Sequence, residues 1–231
     1  MRTELLTECR VLDIAGDIGA YCGKVLGDLS AEVIKIEKPQ GDSAHNIPPF
    51  YHDIPSSEKS LSWYYSNLHK KGITLDIEKE TGKQLFKELI KRSDVLVESF
   101  QPGYLDNLGL GYEGLTEVNQ GIIVTSITPF GQGGPYTHWE AADIVMMALG
   151  GMLRLHTDIG RPPTRFSVPL ASFFAGLHGA SGTMMALFHR EISGEGQQVD
   201  VSCQQAIVLS LMEATEFWNL NKINRTTSGV Y

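Results

Sequence analysis

The stretch Val11-Leu-Asp-Ile-Ala-Gly-Asp-Ile-Gly-Ala-Tyr-Cys-Gly-Lys-Val-Leu-Gly-Asp-Leu-Ser-Ala-Glu-Val-Ile-Lys-Ile-Glu37 decides the fold. Val11–Ile14 is a short apolar run and predicts a buried strand, as does Glu32–Ile36. Between them Gly19–Leu29 predicts a helix with Tyr21, Val25 and Leu29 on one stripe. Strand, helix and strand at this spacing form a βαβ unit with parallel strands.

The alternation continues outward. Asp42–Ser60 is polar and aperiodic, a surface loop. Leu75–Ile77 begins a third strand or its turn. Glu78–Arg92 is the clearest helix, with Leu85, Phe86, Leu89 and Ile90 expected on the buried face. Asp94–Val97, Gly121–Ser126 and Gln198–Val201 predict strands, and Pro129–Tyr136 a glycine-rich loop. Ala141–Leu153, Leu170–Glu191 and Gln204–Leu220 predict helices, the second ended by the Ser193–Gly196 turn. This pattern predicts an α/β, Rossmann-like fold: a mostly parallel sheet with flanking helices.

The chain has 231 residues, enough for one large domain or two small ones. Its 42% hydrophobic and 20% charged content suits a soluble globular core and argues against disorder. A net charge of -8 gives no support for nucleic-acid binding, which needs a basic surface. Cys9, Cys22 and Cys203 are far apart and odd in number, so the expectation is three reduced thiols in a cytoplasmic protein and no zinc site. No histidine pair has metal-ligand spacing. The Met1–Arg10 segment is too charged for a signal peptide. No stretch approaches the roughly 20 apolar residues of a membrane span, so no membrane partner is expected.

Gly16, Gly19 and Gly23 follow a strand and open a helix, where a phosphate can approach the backbone. Glu37 closes the second strand, where a dinucleotide fold places a ribose-binding acid. The spacing is not G-x-G-x-x-G, however. A tight strand-to-helix turn with a solvated Glu37 explains the same residues, and a nicotinamide cofactor is the lesser reading.

Longer stretches carry a more specific likeness. They are Val11-Leu-Asp13, Ala31-Glu-Val-Ile-Lys-Ile-Glu37 with Pro39 and Gly41-Asp42, and Asn67-Leu-His-Lys70 through Leu75-Asp76. Asp94-Val-Leu-Val-Glu-Ser-Phe-Gln-Pro-Gly103, Gly109-Leu-Gly-Tyr112 and Phe130-Gly-Gln-Gly-Gly-Pro-Tyr136 follow in order. Arg190, Gly194 and Gly196-Gln-Gln-Val-Asp-Val201 close the series. Together these resemble the family III CoA-transferases, of the carnitine and formyl-CoA transferase type. The resemblance implies an interlocked dimer in which each chain threads through its partner. Family members are far longer. Residues 1–231 therefore correspond to the N-terminal part of the family's large domain, without the C-terminal remainder and its second glycine loop. The ending Ser228–Tyr231 reads as a cut.

The implied reaction moves CoA from an acyl-CoA to a free carboxylate, with acyl-CoA as substrate and no tightly bound cofactor. The residues matching the family's CoA-binding positions are Ile18, Gly19, Lys38, Leu75, Ser99, Phe100, Gln101 and Asn107. Gln101 and Asn107 stand where the family often has cations for the CoA phosphates, which weakens charge-assisted contacts. Lys38 is retained, and Lys70 and Lys71 read equally well as surface lysines. The family's nucleophilic aspartate falls on Ser172, in Ser167-Val-Pro-Leu-Ala-Ser172-Phe-Phe-Ala-Gly176. A serine needs an adjacent base. His178 lies six residues on, off the three-or-four spacing of helical neighbours. The competing reading makes Ser172 a helix N-cap. Asp143 matches an auxiliary family acid, or a helix N-terminal acid favoured by the dipole. Ala142 replaces the histidine of related racemases, which disfavours racemase chemistry.

Three readings follow. The first is a pseudo-catalytic subunit, inactive alone, in a hetero-oligomer whose homologous subunit carries the aspartate, as in a two-subunit enzyme of the kind acting on benzylsuccinate. The second is a non-enzymatic CoA-binding or scaffold protein. The third is an active transferase with an altered nucleophile.

Overall fold

The computed structural model describes residues 5–157 and 160–225. The chain-end segment 228–231 lies outside the described residues, as do residues 1–4 of the N-terminal stretch. Among the described residues six strands form one sheet: β1 Arg10–Asp13, β2 Glu32–Glu37, β3 Lys71–Thr74, β4 Val95–Glu98, β5 Ile123–Thr128 and β6 Gln198–Ser202. Their order is β3-β2-β1-β4-β5-β6. All five pairings are parallel, with Val11 opposite Val33 on one side and Val95 on the other. The sheet is thus an α/β doubly wound one, whose strand order reverses between β1 and β4.

Every residue of β4 and β5 is buried. Strands covered on both faces need apolar side chains at successive positions, so these segments read as continuous hydrophobic runs. On one face Val11, Val33, Val97 and Ile127 pack with helices α1 (Ala20–Asp28), α6 (Asp143–Leu149), α8 (Leu170–Ser193) and α9 (Cys203–Ser210). On the other, Leu12, Ile36, Leu96 and Val124 pack with α3 (Glu80–Ile90), α4 (Tyr104–Asn107) and α5 (Tyr112–Thr116).

The third strand lies four residues earlier than Leu75–Ile77. All four of its residues are exposed, because β3 is an edge strand paired only to β2. It therefore lacks the hydrophobic signature of a buried strand. In α3 the buried pair is Phe86 and Ile90, and Leu85 is 59% exposed. In α1 the fully buried stripe is Cys22 and Leu26, with Tyr21, Val25 and Leu29 only partly covered.

The Asp42–Ser60 stretch is a loop with three short 3-10 turns, followed by an unexpected helix α2 (Leu61–Ser66). Ser60 caps it, its Oγ accepting from the Trp63 amide at 3.2 Å. The expected Ala141–Leu153 helix is two pieces, α6 and α7 (Met152–Leu155). Gly151 lies between them at φ 89°, a backbone state that glycine adopts without strain. The last helix is likewise divided at Leu211 into α9 and α10 (Met212–Asn221). Cys9, Cys22 and Cys203 are buried, unpaired thiols. No described helix is long and apolar enough to cross a membrane.

Long helix α8 crosses the sheet on small residues. Ala171, Ala175, Gly179, Ala180, Thr183 and Ala186 form its buried face. A Cβ at Gly176 would stand 2.8 Å from Tyr21 Cβ and 3.0 Å from the Cys22 backbone nitrogen. That close approach to α1 fixes where the N-terminus of α8, and hence Ser172, sits.

Candidate functional site

Helix α8 begins after Pro169, so Ser172 is its third residue and not its N-cap. The N-cap reading is corrected: the cap comes from another element. Asp143, the first residue of α6, accepts the Ala171 amide at 2.9 Å and the Ser172 amide at 3.4 Å through Oδ1. The first amides of a helix have no partner inside it, and a carboxylate there satisfies both hydrogen bonds and dipole. Burial nevertheless raises the Asp143 pKa above the usual carboxylate value, and the two amides only oppose that rise.

Ser172 is 5% exposed. Its hydroxyl has no hydrogen-bond partner among the described residues, and none joins it to His178. Six residues of α-helix turn by about 240°, which points the two side chains apart. Its neighbour Phe173 packs on the Tyr21 ring, 4.9 Å between centroids. The site therefore has a serine hydroxyl at a helix N-terminus and a nearby carboxylate already engaged by backbone.

A separate cleft of about 320 Å³ opens at the C-terminal ends of β1, β2 and β4. This is the crevice where strand order reverses, the usual ligand position in open parallel sheets. It brings together Ile18, Lys38, Leu75, Ser99 and Phe100. Gly19 stands behind the wall, where a Cβ would come 3.2 Å from Ser99 Cβ. Gln101 lines a different, polar cavity of about 250 Å³ with Glu98, Asp106 and Ser126. Asn107 is exposed at the end of α4 and lines neither.

The glycine turn is a packing device. Gly23 lies directly against the Asp13 carboxylate, and the Gly16 amide donates to Ser99 Oγ at 2.9 Å. Glu37 is held by protein rather than solvated: the Trp63 ring N–H donates to it at 3.3 Å, and His45 Nε2 lies 3.1 Å away.

Three features escaped the sequence reading. Tyr104 stacks on Phe100 at 4.6 Å and donates its hydroxyl to Glu78 at 2.8 Å. Lys70 and Lys35 are not surface lysines in kind. Lys70 is buried, its ammonium bonded to Asp13 and the Ala20 carbonyl at 2.7 Å each and to Asn67 at 2.9 Å. Lys35 holds the Ala15 carbonyl and, at 3.2 Å, Asp42. Glu98 is pushed up to about 7 by burial, against hydrogen bonds from Ser126 and the Phe100 amide. A charged residue closing an otherwise apolar strand was the available signal for Glu98.

The model of CoA-transferase family III matches residues 6–229, nearly the whole chain. This chain belongs to CoA-transferase family III. It is 40% identical over 217 residues to the succinyl-CoA:(R)-benzylsuccinate CoA-transferase subunit BbsE of Thauera aromatica, covering 94% of this chain and 53% of that protein. It is 36% identical to the succinyl-CoA–L-malate CoA-transferase beta subunit of Chloroflexus aurantiacus, covering 87% and 50%. A CaiB/BaiF family protein from Brucella suis superposes with a TM-score of 0.90 at 31% identity, over 98% of this chain and 60% of that one. The chain spans about half the length of these curated relatives. In this family III chain the expected nucleophile position, Ser172, and the expected CoA positions around Phe100 lie on separate walls: the first at the start of α8, the second beyond β1 and β4.

Proposed function

We propose that this chain is the N-terminal part of one subunit of an acyl-CoA:carboxylate CoA-transferase, that it lacks the aspartate nucleophile, and that it supports a homologous catalytic subunit. The observation that carries the reading is Ser172: buried, with no base hydrogen-bonded to its hydroxyl among the described residues, at the helix N-terminus where the likeness calls for a carboxylate.

The chemistry explains why the substitution matters. A carboxylate attacks the thioester carbonyl, the acyl–sulfur bond breaks, and an acyl-enzyme anhydride forms as CoA thiolate leaves. The thiolate then attacks the enzyme's own carbonyl, which releases the donor acid and leaves an enzyme thioester. The acceptor carboxylate collects CoA by the same two steps in reverse. An anhydride is as reactive as the thioester it replaces. A serine ester holds its acyl group too stably to return it. Asp143 does not substitute, since its Oδ1 is committed to the α8 amides.

A partner is supported by the surface of α8. Leu177, Met185, Phe188 and Ile192 recur on one face and are 44%, 71%, 72% and 75% exposed. An apolar stripe of that kind calls for cover. The partner is a homologous subunit, or a second copy in an interlocked dimer. Acyl-CoA is the substrate of the assembly, with no tightly bound cofactor.

The test is co-purification from the native host, then acyl-CoA transfer assays on the chain alone and in its complex. The expected result is turnover only in the complex, changed less than about twofold by Ser172→Ala. Turnover by the chain alone, or loss of turnover in the Ser172→Ala complex, sinks the reading.

A further inference from the structure

His45 is tied at both nitrogens of its ring. Nδ1 lies 2.9 Å from the Ser57 carbonyl oxygen, and Nε2 lies 3.1 Å and 3.3 Å from the two carboxylate oxygens of Glu37, the last residue of β2. The ring face stacks on Trp63 of α2, 4.2 Å between centroids. A neutral imidazole carries one N–H, and its other nitrogen presents a lone pair. Between two oxygen acceptors the neutral ring makes one tie and sets a lone pair against oxygen at the other. The imidazolium donates to both.

The surrounding charges agree. The neighbouring acids have cations of their own: Asp13 has Lys70 at 2.7 Å, Asp42 has Lys35 at 3.2 Å, and Glu32 has Arg10 and Lys71 at 2.7 Å each. Among the described residues no lysine or arginine lies within 4 Å of Glu37, and its cation partner is His45. Both side chains are largely shielded from solvent, so salt screens the pair weakly. Lys35 and Lys70 line the same pocket and oppose a charge on His45, but each is neutralised by its acid. From the 57–59 turn, Glu58 and Lys59 offset one another, and α2 faces the pocket with uncharged Trp63 and Asn67.

These ties hold a strap. Residues 42–60 leave β2 and return at α2, closed on themselves by Ser60 Oγ, which donates to the Ile47 carbonyl at 2.6 Å, and by the Phe50–Ser60 bridge. At its tip His52 and Asp53 both lie at φ 55°, a left-handed state that costs energy in residues other than glycine and persists only while the surroundings hold it. At its root Asp42 and Ser43 line the cleft of about 320 Å³, so the strap's fastening bears on that wall.

We propose that His45 is a proton-operated clasp: protonated, it fastens the 42–60 strap to Glu37 of β2 and to the Ser57 carbonyl, and deprotonated it lets one tie go and loosens the strap. The protonated form makes the extra bond, so the fastening is present at lower pH and is lost as pH rises. The clasp goes beyond the support-subunit reading and stands without it.

Hydrogen exchange on the full chain at pH 6 and pH 8 tests it, read as protection factors corrected for the intrinsic effect of pH. Amides of buried β4 serve as the reference for global stability. Strap protection in the wild type, relative to β4, is expected to fall roughly tenfold or more between the two conditions, as for the loss of one hydrogen bond to a charged group. His45→Arg keeps a cation at every pH and is expected to stay fastened at both. His45→Phe keeps a ring on Trp63 but has no donor, and is expected to be loose at both. His52 touches the Tyr51 ring and is present in all three proteins, so it produces no difference between them. Equal strap protection in the wild type at the two pH values overturns the proposal, as does a fall of the same size in His45→Arg. If His45→Phe does not fold, the wild type and His45→Arg still decide the matter. Acyl transfer by the chain alone would sink the support-subunit reading and leave this result untouched.

Discussion

Asp143 closes the N-terminus of the helix that carries Ser172, its Oδ1 accepting the Ser172 amide at 3.4 Å across 29 residues of sequence. The same oxygen takes the Ala171 amide at 2.9 Å. Asp143→Ala is expected to cost about 1–2 kcal/mol, the usual loss of a helix cap, while Asp143→Asn keeps an acceptor and costs less. Urea denaturation measures both. Equal midpoints for the wild type and Asp143→Ala would remove the capping role.

Glu98 makes stability depend on pH. Its folded pKa of about 7 lies above the ordinary value of 4.5, so between those values the folded state holds a proton that the unfolded state has lost. Stability is therefore fully present near pH 4.5 as far as this group is concerned, and falls as pH rises toward 7. The span amounts to a loss on the order of 3 kcal/mol. Glu98→Gln keeps an acceptor for the Phe100 amide and is expected to flatten the profile, with higher stability at pH 8. Parallel profiles for wild type and variant, from chemical denaturation at pH 5 to 8, would contradict this.

Lys70 and Asp13 form a buried pair, with side chains 1% and 0% exposed and 2.7 Å between charged atoms. Lys70→Met leaves the Asp13 carboxylate with only the Lys35 ammonium, 3.9 Å away, and is expected to cost about 3–5 kcal/mol. The double variant Asp13→Asn with Lys70→Met should recover part of that loss. A double-mutant cycle reads the coupling, and strictly additive costs would mean that the two groups act independently.

Gly176 is where α8 touches α1. Alanine would gain up to about 1 kcal/mol of helix propensity. Its Cβ, however, would stand 3.0 Å from the Cys22 backbone nitrogen, and backbone cannot rotate away. Overpacking is expected to win, with a net loss of about 1–2 kcal/mol. A Gly176→Ala chain as stable as wild type by thermal unfolding would show that the helices separate freely.

The sequence was most legible where structure is local. Buried strands such as Val95–Glu98 announced themselves as apolar runs, and the β1-α1-β2 unit by spacing alone. Edge strand β3 did not, because solvent on its open side removes the need for apolar side chains. The site was legible as a list of positions. Five of the eight expected CoA positions meet in the cleft, whereas Gln101 turns to another cavity and Asn107 to solvent. Local pattern could not separate Gln101 from Phe100, its chain neighbour.

By itself the sequence determined the element types, the α/β class and membership of CoA-transferase family III, all of which follow from patterns along the chain. It also placed a hydroxyl at position 172. Only the tertiary structure decided that Asp143 and not a local side chain caps the helix carrying Ser172, and that Lys70 is buried. Only it gathered Asp17, Glu37, Asp42, Asp76 and Glu78 around one cleft. The physical reason is range. Periodicity reports neighbours a few residues apart, whereas burial, desolvation and charge density depend on which strands the sheet sets side by side.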